Sequence, residues 1–486
     1  MTHHYILAID QGTTGTKSVC FDKSGNAVAR AYREFRQIYP KPGWVEHDPE
    51  EIWQTVVTTV NEVLSQIDGK IDAVGITNQR ETTVVWDRET GKPVYNAIVW
   101  QCRRTAPFCE ELAPHANLFK QRTGLPIDAY FSGTKIRWIL DHIDHSNSKN
   151  LAFGTIDTWL IWRLTHGKVH ATDFTNASRT LLFDIHKKEW DSELSGIMGV
   201  PTSLFPAVKR SQDDFGTVES ISSLAGVPIT GVAGDQQAAL FGQTCFDAGE
   251  LKNTYGTGCF LMLNTGDQAV ISSEGLITTL AADGGGDPCY ALEGSIFVGG
   301  AAIQWLRDEL HLIENATESE TAAEAVPDNG GAYLIPAFVG LGAPHWDMDA
   351  RGALVGLTRG VNRHHIIRAA LESMAYQTQD VLAAMSDEAK MTLETLAVDG
   401  GASANNFLLQ FQADISNLDV LRPHQIESTS LGAAYLAGLS TGFWSDAQSL
   451  KTQKRVERTF TPSMDAPTRE ELLAGWRHAL RQAMTK

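Results

Sequence analysis

Ile6-Leu7-Ala8-Ile9-Asp10-Gln11-Gly12-Thr13-Thr14-Gly15-Thr16-Lys17-Ser18-Val19-Cys20-Phe21 is an apolar strand, a loop of glycines and hydroxyls, and a second alternating strand. The glycines permit close backbone approach. Successive N–H groups and threonine hydroxyls can then face an anion. Lys23-Ser24-Gly25-Asn26 follows as a turn into a third extended run. The loop therefore joins strand to strand. A phosphate loop of the G-x-x-x-x-G-K-[ST] type joins a strand to a helix, and that pattern is absent here.

Working outward, the pattern predicts strands over 5–10, 17–22 and 27–35, then a helix. Asp48 suits its N-cap, Pro49 its first position and Glu50 and Glu51 its first turn. Ile52, Val56, Val60, Val63, Leu64 and Ile67 share one helical face. A strand over 73–77 ends in Asn78-Gln79-Arg80-Glu81, where parallel α/β sheets place their ligands. Another strand over 228–234 runs into a helix starting at Asp235-Gln236.

About half the chain beyond Gly12, Asn253-Thr254-Tyr255-Gly256-Thr257-Gly258 precedes a further extended run, Cys259 to Leu263. This hints at two similarly built halves, each opening with a phosphate hairpin. Two segments then read as strand, Gly-Gly-Ala turn and helix. One is 296–301, leading to Gln304, Trp305 and Leu306. The other is 396–402, leading to a helix that carries Asn405, Phe407, Leu408 and Phe411. Such turns leave bare backbone where a purine or ribose can lie. Gly284-Gly285-Gly286 reads as turn punctuation.

A chain of 486 residues exceeds the span of one hydrophobic core, so two domains are expected. The boundary is expected near 243–250, giving domains over 1–245 and 246–486. A formal net charge of −18 argues against nucleic-acid or anionic-membrane partners. Bound phosphate then depends on local geometry and a cation. No apolar run approaches a membrane span, and Met1-Thr2-His3-His4-Tyr5 lacks a signal-peptide layout. Six scattered cysteines without C-x-x-C spacing read as reduced packing thiols of a cytoplasmic protein. The histidines show no zinc spacing.

Each candidate residue also has a plainer reading. Asp10 either anchors Mg²⁺ or ends a strand. Arg80 and Glu81 either bind vicinal hydroxyls or pair on the surface. Tyr130 is a substrate contact or a core aromatic. Asp235 is the base of a phosphoryl transfer to an alcohol, with Gln236 beside it, or simply an N-cap. Ser132-x-x-Lys135 matches a serine-hydrolase pattern without its companions.

Taken together these segments resemble the glycerol kinases of the FGGY carbohydrate kinase family along nearly the whole chain. The resemblance rests on 10–14, 78–82, Val99-Trp100-Gln101-Cys102-Arg103-Arg104-Thr105, 130–135, Thr175-Asn176-Ala177-Ser178-Arg179-Thr180, 234–242, 253–260, Gly340-Leu341-Gly342-Ala343-Pro344 and 399–402. It implies an α/β fold of two actin-like (ribonuclease H-like) ATPase domains with an active-site cleft between them. It also implies Mg²⁺ with ATP as co-substrate, glycerol as acceptor and a homo-oligomer, dimer or tetramer. By the same resemblance Thr13 and Thr14 contact the transferring phosphates, with Asp10 near Mg²⁺. Arg80, Glu81, Tyr130, Asp235 and Gln236 hold glycerol, with Trp100 and Phe260 walling its carbon side and Asp235 as base. Thr257, Gly300, Gln304, Gly401 and Asn405 hold the nucleotide.

The chain departs from that pattern at Gly15-Thr16-Lys17, where many members carry Ser-Ser-Arg. Gly15 is then expected to contribute backbone only, and Lys17 a point charge to the nucleotide phosphates. No Lys or Arg lies between Phe215 and Gly231. Some bacterial members have a basic loop there for a sugar bisphosphate, so such inhibition is expected to be weak or absent. The rival readings are a kinase of the same family acting on another polyol or on xylulose, and an actin- or chaperone-like ATPase without a small acceptor.

Overall fold

A computed structural model describes residues 3–143, 150–284, 286–425 and 427–485. Met1 and Thr2 of the N-terminal stretch, and Gly285 of the glycine run, lie outside the described residues. The first sheet contains β1 (His4–Gln11), β2 (Gly15–Phe21), β3 (Ala27–Glu34), β4 (Lys70–Asn78) and β5 (Ile229–Gly234) in the order β3-β2-β1-β4-β5. The first three form an antiparallel meander, and β4 and β5 run parallel to β1. Ile6, Leu7, Ala8 and Ile9 are fully buried, as expected of a central strand covered on both faces.

β2 begins two residues earlier than its pattern suggests. The reason is the tightness of the hairpin, in which Gly12 N donates to Gly15 O at 2.9 Å. β4 likewise extends through Asn78. Helix α1 (Pro49–Leu64) starts where its cap was read, with Asp48 accepting from Glu50 N, and packs across β2 and β3. Helices α2 (Ser132–His142) and α3 (Asp235–Gly242) follow in the same half.

The second sheet contains β6 (Leu251–Tyr255), β7 (Cys259–Gly266), β8 (Ile277–Leu280), β9 (Tyr290–Ile296), β10 (Thr395–Asp399), β11 (Asp419–Pro423) and β12 (Val456–Phe460). Their order is β8-β9-β7-β6-β10-β11-β12. Its inner five strands, β9-β7-β6-β10-β11, repeat the order and directions of β3-β2-β1-β4-β5. The two halves therefore share one topology, and each opens with a short-looped hairpin. β6 extends through Tyr255, so the second loop is only Gly256-Thr257-Gly258.

Helix α4 (Ala301–Asp308) follows β9, and α5 (Asn406–Ser416) follows β10. Asn405 is not on a helix. It is the N-cap of α5, accepting from Leu408 N, because a 3₁₀ turn over Gly401–Ala404 comes first.

Helix α6 (Ser428–Ser440) crosses back onto the first half and packs on β1, β4, β5 and α3. A Cβ on Gly432 would stand 1.8 Å from Ala238 O, and one on Gly242 2.0 Å from Ser428 O. Only glycine permits that helix crossing. Among the described residues no helix is long and apolar enough to cross a membrane. All six cysteines are unpaired, four of them buried.

Candidate active site

The first hairpin is held from behind by a chain of amides. Gln79 Nε2 donates to Gly12 O at 3.1 Å, and Gln37 Nε2 to Thr13 O at 3.0 Å. His47 bridges the two amides, with Nε2 2.8 Å from Gln37 Oε1 and Nδ1 3.4 Å from Gln79 Nε2. Those partners assign the proton to Nε2. Burial pulls His47 down to about 3, so the ring stays neutral. Trp100 Nε1 donates to Thr13 Oγ1 at 2.9 Å, while Thr14 stands exposed near Tyr32. Gly15 needs its missing side chain, since a Cβ there would lie 2.5 Å from the Tyr32 ring.

Asp10 and Lys17 face each other across the hairpin. Burial pushes the Asp10 carboxyl up, against the pull of Lys17 and of Ser430, whose Oγ donates to Asp10 Oδ2 at 2.8 Å. Lys17 Nζ pairs with Glu427 Oε2 at 2.5 Å. Burial opposes its charge, but Asp10 and Glu427 hold the ammonium above its ordinary range. Among the described residues no group of three or more His, Cys, Asp or Glu is placed to hold a metal ion. A half-buried strand-end carboxylate with one cation for company still fits Mg²⁺, which takes one or two carboxylates and fills its shell with water and phosphate oxygens.

Beyond the strand ends of β4 and β5 lies a cluster of opposite charges. Arg80 and Glu81 are buried, 3% and 1% exposed, so they are not a surface pair. Arg80 Nε meets Asp235 Oδ1 at 3.0 Å. Its Nη2 donates to Glu293 Oε1 at 3.0 Å, and its Nη1 to Glu293 Oε2 and, at 3.2 Å, to Gln237 Oε1. Arg179 Nε donates to Glu81 Oε1 at 2.6 Å, and Arg179 Nη2 to Glu293 Oε1 at 3.0 Å. Glu81 adopts φ 59°, a left-handed conformation held by hydroxyls of Ser132 and Thr83 on its carbonyl. Burial pushes the Glu81 carboxyl up, against Arg179 and Arg80. For Glu293, Arg179 and Arg80 overcome burial and hold the carboxyl at about 2.

Asp235 is the first residue of α3 and not its cap. Gly234 occupies the cap position, and Asp235 Oδ1 accepts from Gln236 N at 2.7 Å. Oδ1 is engaged, the side chain is 32% exposed, and Oδ2 has no hydrogen-bond partner among the described residues. Gly234 N is held by Thr175 Oγ1 at 2.8 Å, and Thr175 by Asp173. Asp173 also anchors Asn176, which bonds Asn78, so one buried carboxylate fixes both strand ends.

Trp100 and Tyr130 meet edge to face, ring centroids 5.6 Å apart. Lys135 Nζ donates to the Tyr130 and Phe131 carbonyls and does not touch Ser132, which disposes of the serine-hydrolase pattern. Lys252, lowered to about 8 by burial, donates to Gln236 Oε1, to Thr254 Oγ1 at 2.8 Å and to Phe260 O at 3.2 Å.

Thr257, Gly300, Gln304, Gly401 and Asn405 line one cavity of 470 Å³ in the second half. Tyr255, Ile303 and Leu371 give it apolar surface, and Arg307 and Glu320 stand at its polar side. The turn after β9 is zipped to the second hairpin, Gly300 N donating to Gly256 O at 2.9 Å. Thr13, Thr14, Gly15 and Lys17 lie outside this lining, on the first hairpin.

Comparison with known proteins decides the lineage. The model of the N-terminal domain of the FGGY family of carbohydrate kinases matches residues 5–242, and that of the C-terminal domain matches 251–441. The chain belongs to the FGGY family of carbohydrate kinases. It is similar to the glycerol kinases of Carboxydothermus hydrogenoformans, at 57% identity, and Symbiobacterium thermophilum, at 58%, each over 99% of both chains. A crystal structure of Plasmodium falciparum glycerol kinase with ADP superposes with a TM-score of 0.94 at 38% identity, covering 100% of this chain and 99% of that one. Gluconate kinase from Lactobacillus acidophilus shares the fold, with a TM-score of 0.90 at 24% identity over 99% and 98% of the two chains. The fold is thus the two-domain α/β architecture of FGGY kinases, with its actin-like halves.

Among the site residues that sequence reading gave no role in this FGGY kinase are Glu293, Lys252, Arg179, Glu427 and Ser430. Four of them come from the second half and act on side chains of the first. A signal existed for Glu293. A lone carboxylate in a strand flanked by the buried Ala291, Leu292 and Ile296 demands a cationic partner.

Proposed function

We propose that this FGGY kinase transfers the γ-phosphoryl group of ATP to glycerol, giving sn-glycerol 3-phosphate and ADP. The observation that carries the reading is the charged cluster around Arg80, Glu81 and Asp235 at the strand ends of the first half, together with the bare-backbone cavity of the second half. The glycerol kinase relatives and the ADP-bound glycerol kinase structure support it. The boundary we propose is 1–245 for the glycerol and phosphate side and 246–486 for the nucleotide side.

Arg80, Glu81, Tyr130, Asp235 and Gln236 hold the acceptor hydroxyls, and Trp100 and Phe260 cover its carbons. Asp235 Oδ2 takes the proton of the attacking hydroxyl as its oxygen bonds to the γ-phosphorus. The bond from that phosphorus to the β–γ bridging oxygen breaks, and ADP leaves. Thr257, Gly300, Gln304, Gly401 and Asn405 seat the nucleoside. Thr13, Thr14, the Gly15 backbone and Lys17 meet the phosphates. Mg²⁺ held by Asp10 supplies charge neutralisation of the phosphates when bound. A base in position contributes about 10²–10⁴-fold, and alignment with charge neutralisation the larger share.

The test is product analysis by phosphorus NMR after incubation with Mg-ATP and glycerol. The expected product is a phosphomonoester on a terminal glycerol carbon. ATP loss that yields only inorganic phosphate would return the chain to the class of ATPases without a small acceptor.

A further inference from the structure

Glu293 is the only charged residue of β9 and is fully buried. It belongs to the second sheet, yet its three donors are guanidinium nitrogens of Arg80 and Arg179 from the first half. The contact with Arg80 is a two-point fork, which fixes the plane of the guanidinium as a single hydrogen bond cannot. In that plane the closest approach of Arg80 to Asp235 is Nε to Oδ1, at 3.0 Å. Asp235 is itself a carboxylate within reach of Arg80. Released from Glu293, the guanidinium is free to turn and fork onto Asp235, occupying both of its oxygens.

We propose that Glu293 is a positioning residue for phosphoryl transfer: by holding the Arg80 fork it confines Arg80 to one contact with Asp235 and leaves Oδ2 open to the acceptor hydroxyl. The inference rests on the glycerol-phosphorylating reading above. Because Glu293 sits on the nucleotide-side sheet, it also ties the geometry of the acceptor site to the other half of the molecule. Lys252 of β6 braces Gln236 in the same direction across the halves.

Glu293→Gln in the full chain keeps the volume and removes the charge. Glu293→Asp keeps the charge, which protects folding, and shortens the reach to Arg80. With glycerol as acceptor, kcat is expected to fall by at least about tenfold in Glu293→Gln and by less in Glu293→Asp. The KM for ATP should stay within about threefold of the parent in both. The deciding measurement is the double-mutant cycle with Asp235→Asn. With the base already gone, Glu293→Gln should lower the residual rate by less than about threefold, because both substitutions act on one group.

An unchanged kcat in either single variant overturns the proposal. So does a full multiplicative loss in the Asp235→Asn background, or an equal rise of both KM values, which marks a general structural brace. If the parent protein shows no glycerol turnover, the functional reading itself fails and takes this inference with it. Failure of the variants alone refutes only the role of Glu293.

Discussion

The two halves of this kinase have the same five-strand order and opposite chemistry at their strand ends. In the first, Asp10 stands at the end of β1, Arg80 and Glu81 follow β4, and Asp235 opens α3 after β5. In the second, Gly256-Thr257-Gly258 follows β6 and Gly400-Gly401 follows β10, the counterparts of β1 and β4, and Val298-Gly299-Gly300 comes after β9, the counterpart of β3. Charged side chains on one side and bare backbone on the other suit different ligands. A small polyol is recognised by directed hydrogen bonds to its hydroxyls, and a flat purine by surfaces without side chains. A repeated fold supplies the places, and the residues at those places divide the labour. The division is incomplete: Asp399 ends β10, and Glu427, paired with Lys17, follows β11. Glu293 and Lys252 bring charge from the second sheet into the first half's cluster.

The comparison breaks most visibly at Asp235. Asp235→Asn is expected to lower kcat by about 10²–10⁴-fold while glycerol and ATP still bind, as read by steady-state kinetics and calorimetry. A near-normal kcat would leave Asp235 as a helix-start residue. On the other half, Gly401→Leu adds a side chain where a Cβ meets nothing within 4 Å, so the fold tolerates it. That side chain enters the 470 Å³ cavity, and the KM for ATP should rise about tenfold or more with glycerol affinity unchanged. If glycerol binding weakens equally, the two sites are not divided between the halves.

A smaller effect tests the support behind the first hairpin. His47 is held neutral, its folded pKa of about 3 lying below the ordinary 6.5. Below pH 6.5 the unfolded chain therefore binds a proton that the folded chain refuses. Stability is lost as pH falls, at up to about 1.4 kcal/mol per pH unit from this group. His47→Gln should flatten that acid limb in denaturant melts between pH 6.5 and 4. The smallest change is expected from Lys17→Arg. Its ammonium is paired with Glu427, and an arginine keeps that charge, so the KM for ATP should move by less than about threefold.

Much of this was legible in the residues. Asp48-Pro49-Glu50-Glu51 announced α1, and alternation in 5–35 announced the meander, because local patterns fix caps and strand faces. The strand-end positions of Arg80 and Asp235 were legible for the same reason. The surface-pair and N-cap readings of those residues failed on long-range packing. Arg80 is buried by Glu293, whose place in the sequence is 213 positions away. Asp235 yields the cap to Gly234, which Thr175 holds. Lys252 on Gln236 and Ser430 on Asp10 were likewise invisible. Such pairs are created by sheet topology and helix crossing, and no local spacing encodes them.

The central claim is that the charged half selects glycerol while the bare half supplies ATP. Its most direct test is ATP consumption with glycerol, xylulose, gluconate and no acceptor, each over a range of concentrations. The account predicts a kcat/KM for glycerol at least about a hundredfold above either sugar substrate, with the no-acceptor rate lower still. Equal consumption with and without glycerol, or faster turnover of xylulose or gluconate, would contradict it.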